Sequence, residues 1–289
     1  MTVLVDRMLV AGVGLIGGSL ALAAREAGLV REVIGFGRTQ ANLDMALRRG
    51  LIDRVATDER VAGEADLIVL AAPVEACARL AARFRSVARA DTTLTDVGSV
   101  KESLVAALET TWPDAGHVVG AHPIAGSERA GAAAARADLF RGQLCILTPT
   151  ARTDTRALAL VRALWEGVGA RIEEMPAATH DAILARVSHL PHLIAYALLG
   201  AVAGHAEQGR AVLDYVGGGF LDTTRIAASP AEVWRDIALA NRAAIATSLA
   251  EFRAALDGLE HAISSGDAAG LERMLAAAAT VRRRLGAGT

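Results

Sequence analysis

The stretch Gly12-Val13-Gly14-Leu15-Ile16-Gly17 follows the apolar run Met8–Ala11 directly and opens a helical pattern, and its reading decides the fold. By itself a GxGxxG spacing is weak, because glycines also end strands for structural reasons; between a strand and a helix it has a physical meaning. Gly12 permits the tight turn, Gly14 lets the backbone approach a pyrophosphate, and Gly17 lets helix and strand pack closely. The free N–H groups of the helix start then face phosphates. This predicts a dinucleotide site built on Gly12, Val13, Gly14, Leu15, Ile16 and Gly17.

Working outward, short β-type runs alternate with helical stretches, as in βαβ units that build a parallel sheet. Strands are expected near Met8–Ala11, Val33–Phe36, Leu67–Ala71, Thr93–Asp96, Val118–Ala121 and Leu144–Thr148. Leu67-Ile68-Val69-Leu70 is apolar on both faces, which a sheet covered by helices on both sides requires. The fold class is therefore α/β, with an N-terminal Rossmann-like doubly wound domain. Ala72 and Pro73, just past the third strand, join the expected cofactor-binding set. At the end of the second strand, where NAD-binding domains place an acidic residue on the ribose, the chain reads Gly35-Phe36-Gly37-Arg38-Thr39-Gln40. Arg38 and Thr39 suit a 2′-phosphate, so NADP is favoured, with NAD possible as cofactor.

After Pro149 come one further helix, Asp154–Val168, and a short strand, Arg171–Met175; from Pro176 onward the pattern is helical. Residues 1–175 are expected to form the nucleotide domain and 176–289 an all-α domain. Ser229-Pro230-Ala231-Glu232 combines an N-cap serine, a first-turn proline and a glutamate three residues after the cap. It predicts a helix running to about Ser264, with a last helix over Asp267–Leu285. Ala182–Gly204 is apolar nearly all round, which points to burial or to a helical homodimer interface.

Composition narrows the function classes. With 53% hydrophobic and 21% charged residues the 289-residue chain reads as globular, and a formal charge of -2 gives no electrostatic footprint for nucleic acid or an anionic membrane. The longest apolar run, Leu193 to Gly204, is too short to span a bilayer, and Asp6 and Arg7 interrupt any signal-peptide core. Cys77 and Cys145 are too few and too far apart for a metal cluster, so no metal site is expected and the cytoplasm is the default location. Lys101 is the only lysine, so any chemistry needing an amine has one candidate.

Ligands of open parallel sheets bind at the carboxyl ends of the strands. Two ends carry polar groups: Thr95-Asp96-Val97-Gly98-Ser99-Val100-Lys101 and Gly120-Ala121-His122-Pro123-Ile124-Ala125-Gly126-Ser127-Glu128. A histidine has the right ordinary pKa to accept a hydroxyl proton as hydride leaves the same carbon, which makes His122 the candidate base. In the helical half, Ser188-His189-Leu190-Pro191-His192 lacks a third ligand for a metal. Gly217-Gly218-Gly219 reads as a flexible turn ahead of Arg225, whose planar fork suits a carboxylate.

Taken together, these motifs resemble the prephenate/arogenate dehydrogenases of tyrosine biosynthesis. The resemblance runs from Gly12 through Asp96–Lys101, Gly120–Gly126, Ser188–His192 and Gly217–Phe220 to Thr224-Arg225-Ile226-Ala227 and Trp234-Arg235-Asp236-Ile237. It implies a Rossmann domain joined to a helical dimerisation domain. It also implies oxidative decarboxylation of a small cyclohexadienol substrate, prephenate or arogenate, to an aromatic phenol. By the same resemblance Ser99 orients His122 and the ring hydroxyl, Arg225 holds a substrate carboxylate, Ser188, His192, Gly218 and Trp234 line the pocket, and Ser127 and Glu128 lie near the substrate side chain. The chain end at Thr289 leaves no room for an appended regulatory domain. Two rivals stand beside this reading: a silent NADP-binding sensor, and another Rossmann-plus-helical hydroxy-acid dehydrogenase, whose known members carry a lysine on the helical domain.

Overall fold

The computed structural model describes residues 3–126 and 129–286. The chain groups into two compact units, Met1–Arg242 and Ala243–Thr289. The first is built on β1 (Val5–Ala11), α1 (Leu15–Glu26), β2 (Val30–Phe36), α2 (Gln40–Arg48), β3 (Arg54–Val55), β4 (Leu67–Leu70), α3 (Val74–Phe84), β5 (Thr93–Asp96), α4 (Glu102–Thr111), β6 (Val118–Pro123), β7 (Leu144–Thr148), α5 (Thr155–Gly167) and β8 (Arg171–Glu174). The eight strands run in the order β3-β2-β1-β4-β5-β6-β7-β8. The order reverses between β1 and β4, and the glycine loop leaves β1 at that point.

Alternation along the strands explains the double layer. Met8 and Val10 enter one apolar cluster with Leu20, Ala24 and Trp165, while Leu9 and Ala11 enter a second with Phe84, Leu104 and Leu108. Leu67 and Val69 likewise face the first cluster and Ile68 and Leu70 the second. Because successive side chains point to opposite faces, a strand apolar at every position needs helices on both sides. Each such side chain contributes about 1.5–3 kcal/mol on burial.

β6 and β7 pair antiparallel, which strand-helix alternation alone does not reveal. Among the described residues between the two strands there is one short 3₁₀ turn, Ala132–Ala134, and no crossover helix.

Beyond β8 the chain is helical except for a small hairpin: α6 (Ala177–Leu184), a π turn (Ala185–His189), α7 (Leu190–Val202), β9 (Ala206–Glu207), β10 (Arg210–Ala211), α8 (Gly218–Thr224), α9 (Ala231–Ala240), α10 (Arg242–Ser265) and α11 (Ala268–Gly286). Four expectations need correction. The helix from Pro230 does not run unbroken to Ser264; it stops at Asn241, whose backbone leaves helical values at φ -109 and ψ 33. Ser229 makes no side-chain cap there, and its carbonyl instead accepts the Tyr196 hydroxyl at 2.7 Å. Gly218 and Gly219 open helix α8 rather than a flexible turn. Finally, the π turn joins α6 to α7 in one 26-residue helical run, Ala177–Val202. By length and composition that run is apolar enough to cross a membrane, so the length argument from Leu193–Gly204 fails. The polar residues it contains interrupt the apolar run in sequence without lowering its mean hydropathy enough.

Candidate active site

The nucleotide end is made of backbone. Gly12 holds φ at +108, and a Cβ there would lie 2.2 Å from the Ala71 carbonyl oxygen. A Cβ on Gly14 would meet nothing within 4 Å, leaving the approach to the start of α1 open. Gly14 caps α1 without a side-chain bond, so the first N–H groups have no side-chain acceptor. A cavity of about 900 Å³ opens over this loop and is lined by Gly12, Val13, Gly14, Arg38, Thr39, Ala72 and Pro73. Leu15 and Ile16 instead line the adjoining cavity, and Gly17 is buried beneath the turn. The close approach at Gly12 and the free helix start fit a dinucleotide pyrophosphate.

No carboxylate follows β2, and Arg38 is exposed at the cavity wall. Asp58 also lines the wall, but its carboxylate is held by Arg60 at 2.5 Å, which pushes it below the ordinary range. Asn42 shapes the loop from behind: its Nδ2 donates to the Val13 carbonyl at 2.7 Å and its Oδ1 accepts from Ala132 N at 2.9 Å. The Cys77 thiol donates to the Ala72 carbonyl at 3.3 Å, and burial pushes it up to about 12, so it acts as a structural group.

The second cavity, about 390 Å³, shares Gly14, Ala72 and Pro73 with the first and is lined further by Ser99, His122 and Asp236. His122 arrives at the end of β6 and Ser99 in the loop between β5 and α4. Among the described residues no hydrogen bond joins the two side chains. Burial, aided by His180, Lys101 and His189, pushes His122 well below the ordinary histidine range, so the ring is neutral at pH 7. Its Nδ1 lies 2.8 Å from His180 Nε2, and His180 Nδ1 lies 2.7 Å from Asp181 Oδ1. The structure thus brings to His122 two buried residues of α6 that sequence reasoning missed.

Lys101 is fully buried behind β6, salt-bridged to Asp96 and donating to the Ala121 carbonyl at 2.8 Å. It locks β5 to β6 and lines neither cavity.

Of the remaining candidates, His192 contacts both Ser188 and Trp234. It stacks on the Trp234 indole at 3.6 Å between ring centres and donates Nδ1–H to the Ser188 carbonyl at 2.9 Å. Burial lowers His192 despite that bond, and the charge of Arg225 lowers it further. Arg225 is exposed and, among the described residues, has no ion pair; Gly218 is exposed at the start of α8. None of Ser188, His192, Gly218, Arg225 and Trp234 lines the cavity that holds His122. Ser127 and Glu128 lie outside the described residues. Burial pushes His189 down to about 4, and its Nδ1 accepts from Asn241 Nδ2 at 3.2 Å, so its bonding differs from that of His192. Asn241 also donates to the Asp181 carbonyl at 2.9 Å, which explains why α9 ends there.

A glycine loop at the switch point of a parallel sheet, adjoining a cavity that carries a neutral histidine, defines a nucleotide-dependent dehydrogenase of the doubly wound class. Two family models match almost end to end: "Prephenate dehydrogenase, nucleotide-binding domain" over residues 20–174 and "Prephenate dehydrogenase, dimerization domain" over residues 176–277. The chain belongs to the prephenate dehydrogenase family and is an oxidoreductase. It is 39% identical over 259 residues to a cyclohexadienyl dehydrogenase of Zymomonas mobilis, covering 89% of this chain and 88% of that one. A prephenate dehydrogenase of Aquifex aeolicus, solved with hydroxyphenyl propionate and NAD+, superposes with a TM-score of 0.93 at 34% identity, covering 97% of this chain and 98% of that one. A Synechocystis arogenate dehydrogenase gives a TM-score of 0.83 at 31% identity over 96% of this chain and 99% of that one.

Proposed function

We propose that this chain oxidatively decarboxylates prephenate to 4-hydroxyphenylpyruvate, arogenate to tyrosine, or both, in the biosynthesis of tyrosine. The observation that carries this reading is that His122, held below the ordinary histidine range by burial, and Ser99 line one cavity that continues into the nucleotide cavity. When bound, NADP or NAD supplies a hydride acceptor for the carbinol carbon of the ring. His122 Nε2 takes the hydroxyl proton as the carbon–oxygen double bond forms. The ring carboxylate then leaves as carbon dioxide, because its loss makes the ring aromatic. Ser99 orients the hydroxyl toward His122. Arg225 binds a substrate carboxylate, with Ser188, His192, Gly218 and Trp234 extending the substrate site beyond the cavity that holds His122 and Ser127 and Glu128 near the side chain.

Arg38 and Thr39, with no competing carboxylate after β2, support a preference for NADP with NAD accepted more weakly. The functional division proposed here is 1–175 and 176–289, a reading supported by the family models over residues 20–174 and 176–277. The uncovered apolar face of Ala177–Val202, where Ile183 and Val187 are exposed, meets a second copy of the chain rather than lipid. That helical run carries buried His180, Asp181 and His189, which suit a protein interior. A cytoplasmic homodimer is the resulting assembly.

The test is the absorbance of reduced nicotinamide with prephenate or arogenate against NADP or NAD. Turnover in at least one of the four combinations is expected, largest with NADP. Silence in all four overturns the reading.

A further inference from the structure

The partners of His122 determine where its protons sit. Asp181 Oδ1 accepts Lys101 N at 2.8 Å and Oδ2 accepts Glu102 N at 2.9 Å, so both oxygens are anchored at the first turn of α4. An anchored carboxylate only accepts, so His180 Nδ1, at 2.7 Å, must carry a proton. A neutral His180 then has a bare Nε2. The donor facing it at 2.8 Å is His122 Nδ1, which leaves His122 with a bare Nε2. With both rings neutral, this assignment alone satisfies both imidazole contacts.

The surroundings of the two rings differ in sign. Facing His122 are Lys101 from behind β6, paired to Asp96, then His180 from α6 and His189 from the π turn, with Arg129 and the Arg235-paired Asp236 across the cavity; the nearby Cys145 thiol on β7 stays protonated through burial. None of these brings an uncompensated negative charge to His122. His180 has a carboxylate in direct contact. A positive charge is therefore better placed on His180 than on His122.

We propose that His180 and Asp181 are positioning residues that hold His122 in the tautomer whose Nε2 is basic and draw the transferred proton inward. As His122 Nε2 takes the hydroxyl proton, the Nδ1–H proton of His122 passes to His180 Nε2. His122 ends neutral and the positive charge rests on His180 beside Asp181. The inference rests on His122 as base in the proposed function.

His180→Gln is the decisive variant, because its amide can donate to Asp181 and its carbonyl can accept from His122, yet it cannot take a proton. The single-turnover rate of nicotinamide reduction is expected to fall about 10- to 100-fold at the pH plateau. KM for substrate and cofactor should hold. An unchanged rate overturns the relay, and a slower rate matched by weaker substrate or cofactor binding reduces His180 to a structural part. On the unaltered protein without substrate, side-chain ¹⁵N NMR should find the His122 proton on Nδ1; a proton on Nε2 overturns the proposal even if every variant misfolds. Silence of the wild-type enzyme in the four-way assay would instead refute the proposed function.

Discussion

At one end of the paired cavities the walls are backbone: Gly12 and Gly14 serve by having no side chain, and helix α1 offers its bare N–H groups. At the other end the proposed working atom is a side-chain nitrogen of His122, whose ring contacts His180, which in turn meets Asp181 anchored at the start of α4. The nucleotide end is local in sequence and tolerates no added volume at Gly12. The chemical end is assembled from residues 58 positions apart and tolerates no lost partner. Local steric permission and long-range proton order are thus two separate routes to one site, and each should fail in its own way.

The largest expected effect is at the chemical end. His122→Asn should lower kcat by about 10³-fold or more while NADPH affinity, followed by fluorescence titration, stays near wild type. Retained turnover would remove His122 as base. At the nucleotide end, Gly12→Ala should remove measurable cofactor binding. It should also lower Tm by about 5–10 °C, because its Cβ would press on Ala71 at 2.2 Å from a left-handed backbone. Gly14→Ala sharpens the contrast: with no protein atom within 4 Å of its Cβ, Tm should hold while cofactor affinity falls. A matching drop in Tm would show that the loop needs Gly14 for folding rather than for ligand approach.

A smaller effect is expected at Arg225. Arg225→Gln should raise the substrate KM about tenfold or more with a lesser change in kcat, as loss of a charge-assisted hydrogen bond predicts. An unchanged KM would take Arg225 out of the substrate site. Smallest is Arg38→Ala, for which the NADP to NAD ratio of kcat/KM should fall about tenfold, with NAD turnover preserved. A constant ratio would return Arg38 to the ordinary surface.

The α/β architecture was legible because its signals are local: fully apolar strands such as Leu67–Leu70, and a glycine spacing between a strand and a helix. The two-layer burial of the strands follows directly from that pattern. The break at Asn241 was not legible. Nothing in Ala231–Ser265 marks it except one polar residue, and the helix stops there because the Asn241 amide turns inward to Asp181 and His189. His180 and Asp181 left a fainter trace, a His-Asp pair inside the apolar stretch from Ala177 to Val202. That trace could have been read as a buried polar anchor, since an unpartnered pair would be costly among apolar side chains.

Sequence alone was enough for the doubly wound sheet, and it singled out the glycine loop and His122 as candidates, because each rests on residues that stand together in the chain. The tertiary structure decided the antiparallel return of β7, the burial of Lys101 in a structural ion pair, and the identity of the residues behind His122. These depend on which distant groups are brought within about 3 Å, the range of a hydrogen bond. Side-chain periodicity and spacing carry no record of that distance.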